Sequence, residues 1–293
     1  MNKTLRTYTR KNLGESFFSK LSITTWLIIV NVIAFILVQI VLVWNKDLLQ
    51  YLALTPAYVV HGKYLWTIVT SVFMHADIMH LLFNMISLFF IGKFVEKILG
   101  RKRFLSFYLI AGIFASIMFA LLAGYFGVNP FWGKILGDPL IPGVGASGAI
   151  FGLIGVLALL TPKARVYLIA GPLIAIVIEA IIGSVPQLSA VYSIVSVVVS
   201  VYIVISLFAM FSFRSKWLKI SLPVNIPFWS IPIIAIVPLI IIGFFWPLPI
   251  GNIAHLAGFA AGAVYGLYLR SKYPNKIKLL NRYIGVNDDR QSS

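Results

Sequence analysis

Residues 24–44 read TTWLIIVNVIAFILVQIVLVW, an apolar run without a charged side chain. An α-helix rises about 1.5 Å per residue, so a run of this length reaches across the roughly 30 Å of hydrocarbon in a bilayer. A helix on the surface of a soluble protein would instead carry polar residues along one face. The segment therefore predicts a transmembrane helix.

The rest of the chain repeats this pattern. Seven further stretches are apolar and nearly free of charge: residues 78–95, 104–126, 147–161, 166–183, 187–213, 228–245 and 252–269. Of all residues, 60% are hydrophobic and only 11% are charged, less than half of the about 25% that is usual in soluble domains. These values exclude a soluble globular domain and a disordered chain. The sequence predicts an all-α polytopic membrane protein with eight transmembrane helices.

The basic residues are distributed unevenly between the connections. Of the 24 Lys and Arg residues, all but Lys46, Lys63 and Lys134 fall on one side of the predicted bundle. Cytoplasmic connections carry the excess of Lys and Arg in membrane proteins, so we expect both termini in the cytoplasm and the bundle in the cell (plasma) membrane. The net charge of +16 is then a topology signal and an anionic-lipid contact, which argues against nucleic-acid binding.

Three regions follow from this topology. They are a basic cytoplasmic tail at residues 1–23, a transmembrane domain at 24–271 and a second basic cytoplasmic tail at 272–293. A mitochondrial presequence is the alternative interpretation of residues 1–23. The chain has no cysteine, which excludes disulfides and thiolate metal sites, and the sequence implies neither a metal nor an organic cofactor.

Polar residues in so apolar a chain are candidates for chemistry. His80 and Asn84 lie four residues apart near the start of the second span, so they share one helix face. Ser147 opens the fourth span, and His255 lies at the start of the eighth. Each alone is better explained as a packing or capping residue, but all four are expected on the same side of the membrane.

Glycines predict how the fourth and eighth spans meet. The eighth carries Gly258-x3-Gly262-x3-Gly266, and the fourth also has small residues on one face. Such faces let two transmembrane helices approach closely. Their contact would bring Ser147 and His255 together as nucleophile and general base. No acidic residue is suitably placed to complete a triad, so we expect a dyad.

Three spaced motifs resemble those of the rhomboid intramembrane serine proteases, in the family's order. They are Met74-His75-x4-His80-x3-Asn84, Gly145-Ala-Ser147-Gly148 and Ala254-His255-x2-Gly258. Glu96, followed by Leu99-Gly100, also matches the end of the family's second helix. The resemblance implies that Ser147 is the nucleophile and His255 the general base.

The resemblance also implies roles for the residues around this pair. His80, Asn84 and the Ser147 N–H would bind the oxyanion, and Gly145 would shape the loop before the serine. Three further residues are predicted to bind substrate: His75, Trp66 and Phe151.

Two departures from the family pattern concern these substrate residues. Trp66 is followed by Thr67 where family members often have arginine, and Phe151 stands where a tyrosine often packs beneath the histidine. A third departure concerns architecture. The family core has six spans with one between the serine and histidine helices, whereas here there are three. The fold is therefore predicted as a rhomboid-like bundle with two inserted helices, and span five is favoured as the core fifth helix, which often forms part of the substrate gate.

The function implied by the resemblance is cleavage of transmembrane segments of other proteins near the outer membrane face. Expected partners are such substrates and membrane lipids, and the oligomeric state stays open. Two alternatives also stay open. Buried histidines and Glu179, whose role is unexplained, would suit a transporter or channel, and a catalytically inactive rhomboid-like protein would bind clients without cutting them.

Overall fold

The computed structural model describes residues 21–183, 185–211, 219–245 and 251–291. Most of the tail predicted at 1–23 and the break at residues 246–250 lie outside the described residues. The main helices are α1 (Ile23–Trp44), α2 (Ile78–Leu99, with a π-helical turn at Leu88–Gly92), α3 (Arg101–Phe126), α4 (Ser147–Leu160), α5 (Ala170–Gly183), α6 (Ser189–Phe211), α7 (Ile231–Phe245), α8 (Asn252–Lys272) and α9 (Pro274–Gln291).

Short helical segments occupy the connections. They are Lys46–Leu48, Leu49–Leu52, Pro56–Val60, Thr67–Thr70, Ser71–Phe73, Pro130–Leu136, Pro186–Leu188, Lys219–Ser221 and Phe228–Ser230. Four helices are long and apolar enough to cross a membrane: α1, α2, α3 and the Ser189–Ala209 part of α6. A helix lies in each of the eight predicted stretches, but α4, α5 and the apolar Phe228–Pro238 segment are too short, and α8 is not among the four that meet both requirements. The count of eight crossing helices therefore stays a prediction.

The all-α prediction misses one small sheet. Strand β1 (Arg165–Ile169) pairs antiparallel with β2 (Pro223–Pro227), so that Arg165 lies opposite Pro227 and Ile169 opposite Pro223. The fifth apolar stretch, predicted as a helix from residue 166, thus begins as a strand. The β-branched and aromatic residues of β1 favour extended backbone. The two prolines of β2, Pro223 and Pro227, lie at the ends of that strand, where a missing N–H is tolerated.

Helix α1 begins where its free backbone N–H groups meet a carboxylate. Glu96 near the end of α2 accepts hydrogen bonds from the Ile23 N–H at 2.8 Å, the Thr24 N–H at 2.9 Å and the Thr24 hydroxyl at 2.7 Å. The N-terminus of a helix carries unpaired donors and a positive partial charge, so a buried carboxylate is satisfied there. This contact fixes the start of α1 against the end of α2.

The core surrounds α4, whose side chains from Gly148 onward are mostly buried against α3 and α8. Glycines make the α4–α8 contact possible, since a Cβ at Gly258 would collide with the Gly148 carbonyl oxygen and one at Gly262 with that of Gly152. The two helices therefore touch backbone to backbone, as the glycine spacing predicts.

The described residues between positions 165 and 227 form a separate layer, here called the inserted unit, which contains β1, α5, α6 and β2. Helices α5 and α6 pack on each other. The buried side chains Val199, Ile203 and Leu207 of α6 contact Leu82, Phe83 and Ile86 on α2. At the base of the unit, the Phe228 N–H donates to the Ala164 carbonyl at 2.7 Å, so the chain leaves and rejoins the core at one place.

The second basic tail, predicted at residues 272–293, contains a helix. Proline is favoured at the first position of a helix, and Pro274 opens α9. Ile277 packs against the core, and the Asn281 side-chain amide donates to the Leu160 carbonyl at 2.8 Å. Since the last carbonyls of a helix lack partners within it, Asn281 closes the end of α4.

Candidate active site

The backbone before Ser147 is held by two other segments. Leu54 and Gly143 exchange backbone hydrogen bonds, and the Gly145 N–H donates to the Ser71 carbonyl at 2.9 Å. Gly145 has φ +127°, a conformation that side chains rarely adopt. The chain then turns into α4, which places Ser147 in its first position with the free N–H groups of the helix beside it.

Ser147 and His255 lie within hydrogen-bond distance. The Nε2 atom of His255 is 2.8 Å from the Oγ atom of Ser147, although the two residues are 108 positions apart. The backbone contact between α4 and α8 positions this pair, because both residues lie at the ends of helices that touch through glycines. A hydroxyl beside an imidazole nitrogen is the arrangement of an activated nucleophile and its base.

One face of the His255 ring is covered by an aromatic side chain. Phe151, one turn further along α4 than Ser147, stacks on it with centroids 4.4 Å apart and planes at 15°. The ring is thereby held in the plane that points Nε2 at the serine. Phe151, predicted to bind substrate, therefore contacts the candidate base directly, and its phenyl ring does so without a hydroxyl.

No carboxylate among the described residues contacts the other nitrogen of His255, Nδ1, which is buried without a hydrogen-bond partner. Asp77, the nearest acid in the motif, instead accepts a hydrogen bond at 2.8 Å from the His80 backbone N–H and caps the start of α2. Within the part of the chain that the structure describes, the serine–histidine pair thus has no acidic third neighbour.

His80 and Asn84 border the loop that precedes the serine. A Cβ built on Gly145 would lie 2.8 Å from Nε2 of His80 and 3.6 Å from Nδ2 of Asn84. Asn84 is buried, and its amide also donates to the His80 carbonyl at 3.1 Å. Any side chain at position 145 would fill the space beside the imidazole, so glycine is required both for φ and for room.

His75 supports His80 from the loop that precedes α2. Its side chain is 2% exposed, and its ring meets that of His80 edge to face at 5.1 Å. Burial, and to a lesser degree the charge of His80, lower the pKa of His75 to about 4. A neutral imidazole at neutral pH packs here as an aromatic ring against His80. The substrate contact predicted for His75 stays a prediction.

Trp66 lies at the surface. It is 53% exposed, its Nε1 donates to the Tyr51 carbonyl at 2.8 Å, and its ring meets Tyr64 at 5.5 Å. Tyr64 in turn contacts Tyr51 and Tyr58, so Trp66 belongs to an aromatic cluster in the connection between α1 and α2. Its predicted role in substrate binding stays a prediction.

Sequence reasoning missed the residues that support the site through their backbone. Leu54, Ser71 and Gly143 brace the loop by carbonyl and N–H groups, which every residue type carries, so no sequence signal marks them. Asn281 was also missed, and only its place in a basic helix after a proline could have drawn attention to it.

The sequence profile of the rhomboid domain family matches residues 62–202 and 173–272, which together cover most of the chain. The chain belongs to the rhomboid family. Residues 173–202 lie in both matches. This overlap indicates that the segment between the serine and histidine helices is longer in this rhomboid than in the family profile.

Several curated relatives are similar over part of this rhomboid. The putative rhomboid protease YdcA of Bacillus subtilis is 38% identical over 99 residues, which are 33% of this chain and 42% of the relative. Rhomboid protease GluP of the same organism is 34% identical over 113 residues, 39% of this chain and 19% of the relative. Rhomboid protein 1, mitochondrial, of Saccharomyces cerevisiae is 33% identical over 146 residues, 49% of this chain and 38% of the relative. The chain thus spans less than half the length of each.

Family and helices together establish an integral multi-pass membrane protein.

Proposed function

We propose that this rhomboid is an intramembrane serine endopeptidase that cuts transmembrane segments of other proteins. The observation that carries the proposal is the 2.8 Å separation between Ser147 Oγ and His255 Nε2. The protease names of the relatives support the same activity. Retention of both residues opposes an inactive client-binding protein, and the paired nucleophile and base have no use in a transporter.

The reaction is acyl transfer to Ser147. Its Oγ attacks the scissile carbonyl carbon while Nε2 of His255 accepts the hydroxyl proton, and the carbonyl oxygen becomes an oxyanion. Collapse of this intermediate breaks the C–N bond, and His255 gives the proton to the leaving amine. A water molecule then repeats the sequence on the acyl ester, which releases the new carboxyl end and restores the serine.

Oxyanion stabilisation is assigned to the groups beside Gly145. The Ser147 N–H at the start of α4, the His80 imidazole and the Asn84 amide are hydrogen-bond donors bordering this space. Donors placed in advance where negative charge develops lower the barrier more than donors in water, because they need no reorientation. Gly145 leaves room for the substrate carbonyl between them.

The proposed setting is the cell membrane, with eight spans, both termini in the cytoplasm and Ser147 toward the outer face. The distribution of basic residues supports this orientation. Peptide bonds in an intact helix are hydrogen-bonded and enclosed by side chains, so substrates must unwind locally. We expect cuts in the outer half of a span that contains glycine, proline or polar residues, and leucine substitutions there should protect a substrate.

Labelling with a fluorophosphonate tests the site. Wild-type protein should be labelled on Ser147, whereas Ser147→Ala should not be labelled and His255→Ala should react slowly or not at all. Thr161→Ala, at the opposite end of α4, is the matched control and should label like wild type. Labelling that persists in Ser147→Ala would overturn the assignment.

A further inference from the structure

The end of the bundle opposite Ser147 contains a cleft between the last turn of α8 and helix α9. Its volume is about 300 Å³, and it is lined by Arg270, Pro274, Ile277, Lys278 and Asn281. Two of the five lining residues are cations and a third carries an amide, whereas the other two are apolar. A cleft with this lining offers hydrogen-bond donors and positive charge to an anionic group. Its apolar wall can contact a hydrocarbon part of the same ligand.

Other cations near the cleft are engaged elsewhere. Arg103, Lys272 and Lys276 gather around the Tyr273 ring, with their charged groups 5.9, 5.8 and 5.5 Å from its centroid. Arg270 donates weakly to the Leu159 carbonyl at 3.4 Å, and neither it nor Lys278 contacts a carboxylate among the described side chains. The positive charge that lines the cleft therefore lacks a counter-charge within this part of the chain.

The surroundings of the cleft indicate a lipid. Leu267 lies one turn before Arg270 on the same face of α8, and its side chain is exposed. Leucine followed by arginine along a membrane helix presents apolar surface to acyl chains and then a cation at the level of the phosphate. Ile277 and Pro274 continue the apolar wall into the cleft.

We propose that this cleft binds the phosphate headgroup of an anionic phospholipid, with Arg270 and Lys278 contacting the phosphate and the acyl chains lying along Leu267. Asn281, which lines the same cleft, closes the end of the serine helix through the Leu160 carbonyl. A lipid bound here therefore touches the segment that holds α9 against α4. The site is independent of the proposed proteolysis.

Thermal unfolding of the full-length protein in a zwitterionic detergent tests the proposal. Three probes are titrated separately: dioctanoyl phosphatidylglycerol, dioctanoyl phosphatidylcholine and inorganic phosphate. Phosphatidylglycerol should raise the melting temperature at concentrations where the other two do not. Equal protection by inorganic phosphate would overturn the assignment to a lipid, and equal protection by phosphatidylcholine would overturn recognition of negative charge.

Matched variants distinguish lipid binding in the cleft from non-specific attraction by surface charge. Lys278→Gln should raise the half-saturating concentration of phosphatidylglycerol about fivefold, the loss expected for one cation at a headgroup. Lys276→Gln removes the same charge from the same helix outside the cleft and should change it less than twofold. Arg270→Gln should have the same effect as Lys278→Gln. If the arginine variant does not fold, the lysine variant alone decides the test. Equal shifts for Lys276→Gln and Lys278→Gln would overturn the proposal.

Discussion

The core formed by α1–α4 and α8 and the inserted unit at residues 165–227 are held together by different contacts. In the core, glycines of α4 and α8 bring two backbones together, and any side chain at Gly258 or Gly262 would collide with a carbonyl. In the inserted unit, α6 lies on α2 through aliphatic side chains such as Ile203 and Leu207. A backbone contact leaves no side chain that could change rotamer to make room, whereas aliphatic side chains can repack.

This difference bears on the proposed active site. Ser147, His255, His80 and Asn84 all belong to the core, and each is positioned by a backbone that has little freedom. The unit joins the core beside its strand pair, where the Phe228 N–H bonds to the Ala164 carbonyl, and along one face of α2. We therefore expect changes in the core to affect folding and activity together, and changes in the unit to affect neither strongly.

The largest effect is expected for Gly262→Val. The new side chain would overlap the Gly152 carbonyl, so α8 must move away from α4, at a cost of about 3 kcal/mol or more of the free energy of unfolding. Unfolding and fluorophosphonate labelling of purified protein would both report it. Ala175→Val is the matched enlargement at the α5–α6 contact and should cost less than about 1.5 kcal/mol. Equal losses would remove the distinction between the two regions.

The second-largest effect is expected from removal of a buried polar group. Asn84→Ala takes away a proposed oxyanion donor and should lower kcat by about 10² to 10³ with little change in KM. Ser206→Ala in α6 also removes a buried polar atom, but that hydroxyl has no hydrogen-bond partner among the described residues and should be dispensable. Steady-state cleavage of a model transmembrane substrate checks both. An unaltered kcat in Asn84→Ala would exclude this amide from the oxyanion site.

Acid should weaken the core through His75. Because its pKa is lowered from the usual 6.5 to about 4, the unfolded chain takes up a proton more readily than the folded one between these values. The contribution of His75 to the free energy of unfolding is therefore fully present above pH 6.5 and is lost as the pH falls toward 4. His75→Phe should reduce the loss between pH 7.5 and 5 by on the order of 1 to 2 kcal/mol.

Chemical denaturation at the two pH values measures this difference. His61→Gln provides the control, since it also removes one histidine, but from an exposed position in the connection between α1 and α2. If His75→Phe were as sensitive to acid as wild type, another group would carry the effect.

The smallest effect is expected from excision of the whole inserted unit. Ala164 and Phe228 already meet through a 2.7 Å backbone hydrogen bond, so a Gly-Ser-Gly linker joining them should leave the core undisturbed. Fluorophosphonate labelling of the shortened protein should stay within about threefold of wild type. The same linker inserted after Ala164 without deletion is the control. A folded but unlabelled product would show that the unit belongs to the site.

Much of the core could be predicted from sequence because its signals are local. An uncharged run from residue 24 predicts a helix that in fact begins at Ile23, and the run from 147 predicts one that ends at Leu160. The motifs around Ser147 and His255 also predict which residues meet, since each motif combines a reactive residue with the small residues that let its helix approach another.

The features of the fold that could not be predicted depend on contacts between residues far apart in the sequence. The strand at Arg165–Ile169 exists because residues 223–227 pair with it, and the start of α1 depends on Glu96, 72 to 73 positions later. Span five, favoured as the core fifth helix, packs on α6, whereas α7 contacts both α4 and α8. A pattern of apolar residues shows that a helix forms but not which neighbour it has.

The sequence separation within the candidate site has a consequence for its order of assembly. Ser147 is synthesised 108 residues before His255, which at about 5 to 20 residues per second is a delay of roughly 5 to 20 s. Asn281, which closes the serine helix, arrives later still. A nascent chain thus inserts its proposed nucleophile before its proposed base, and the two residues can meet only once the final helices have reached the membrane.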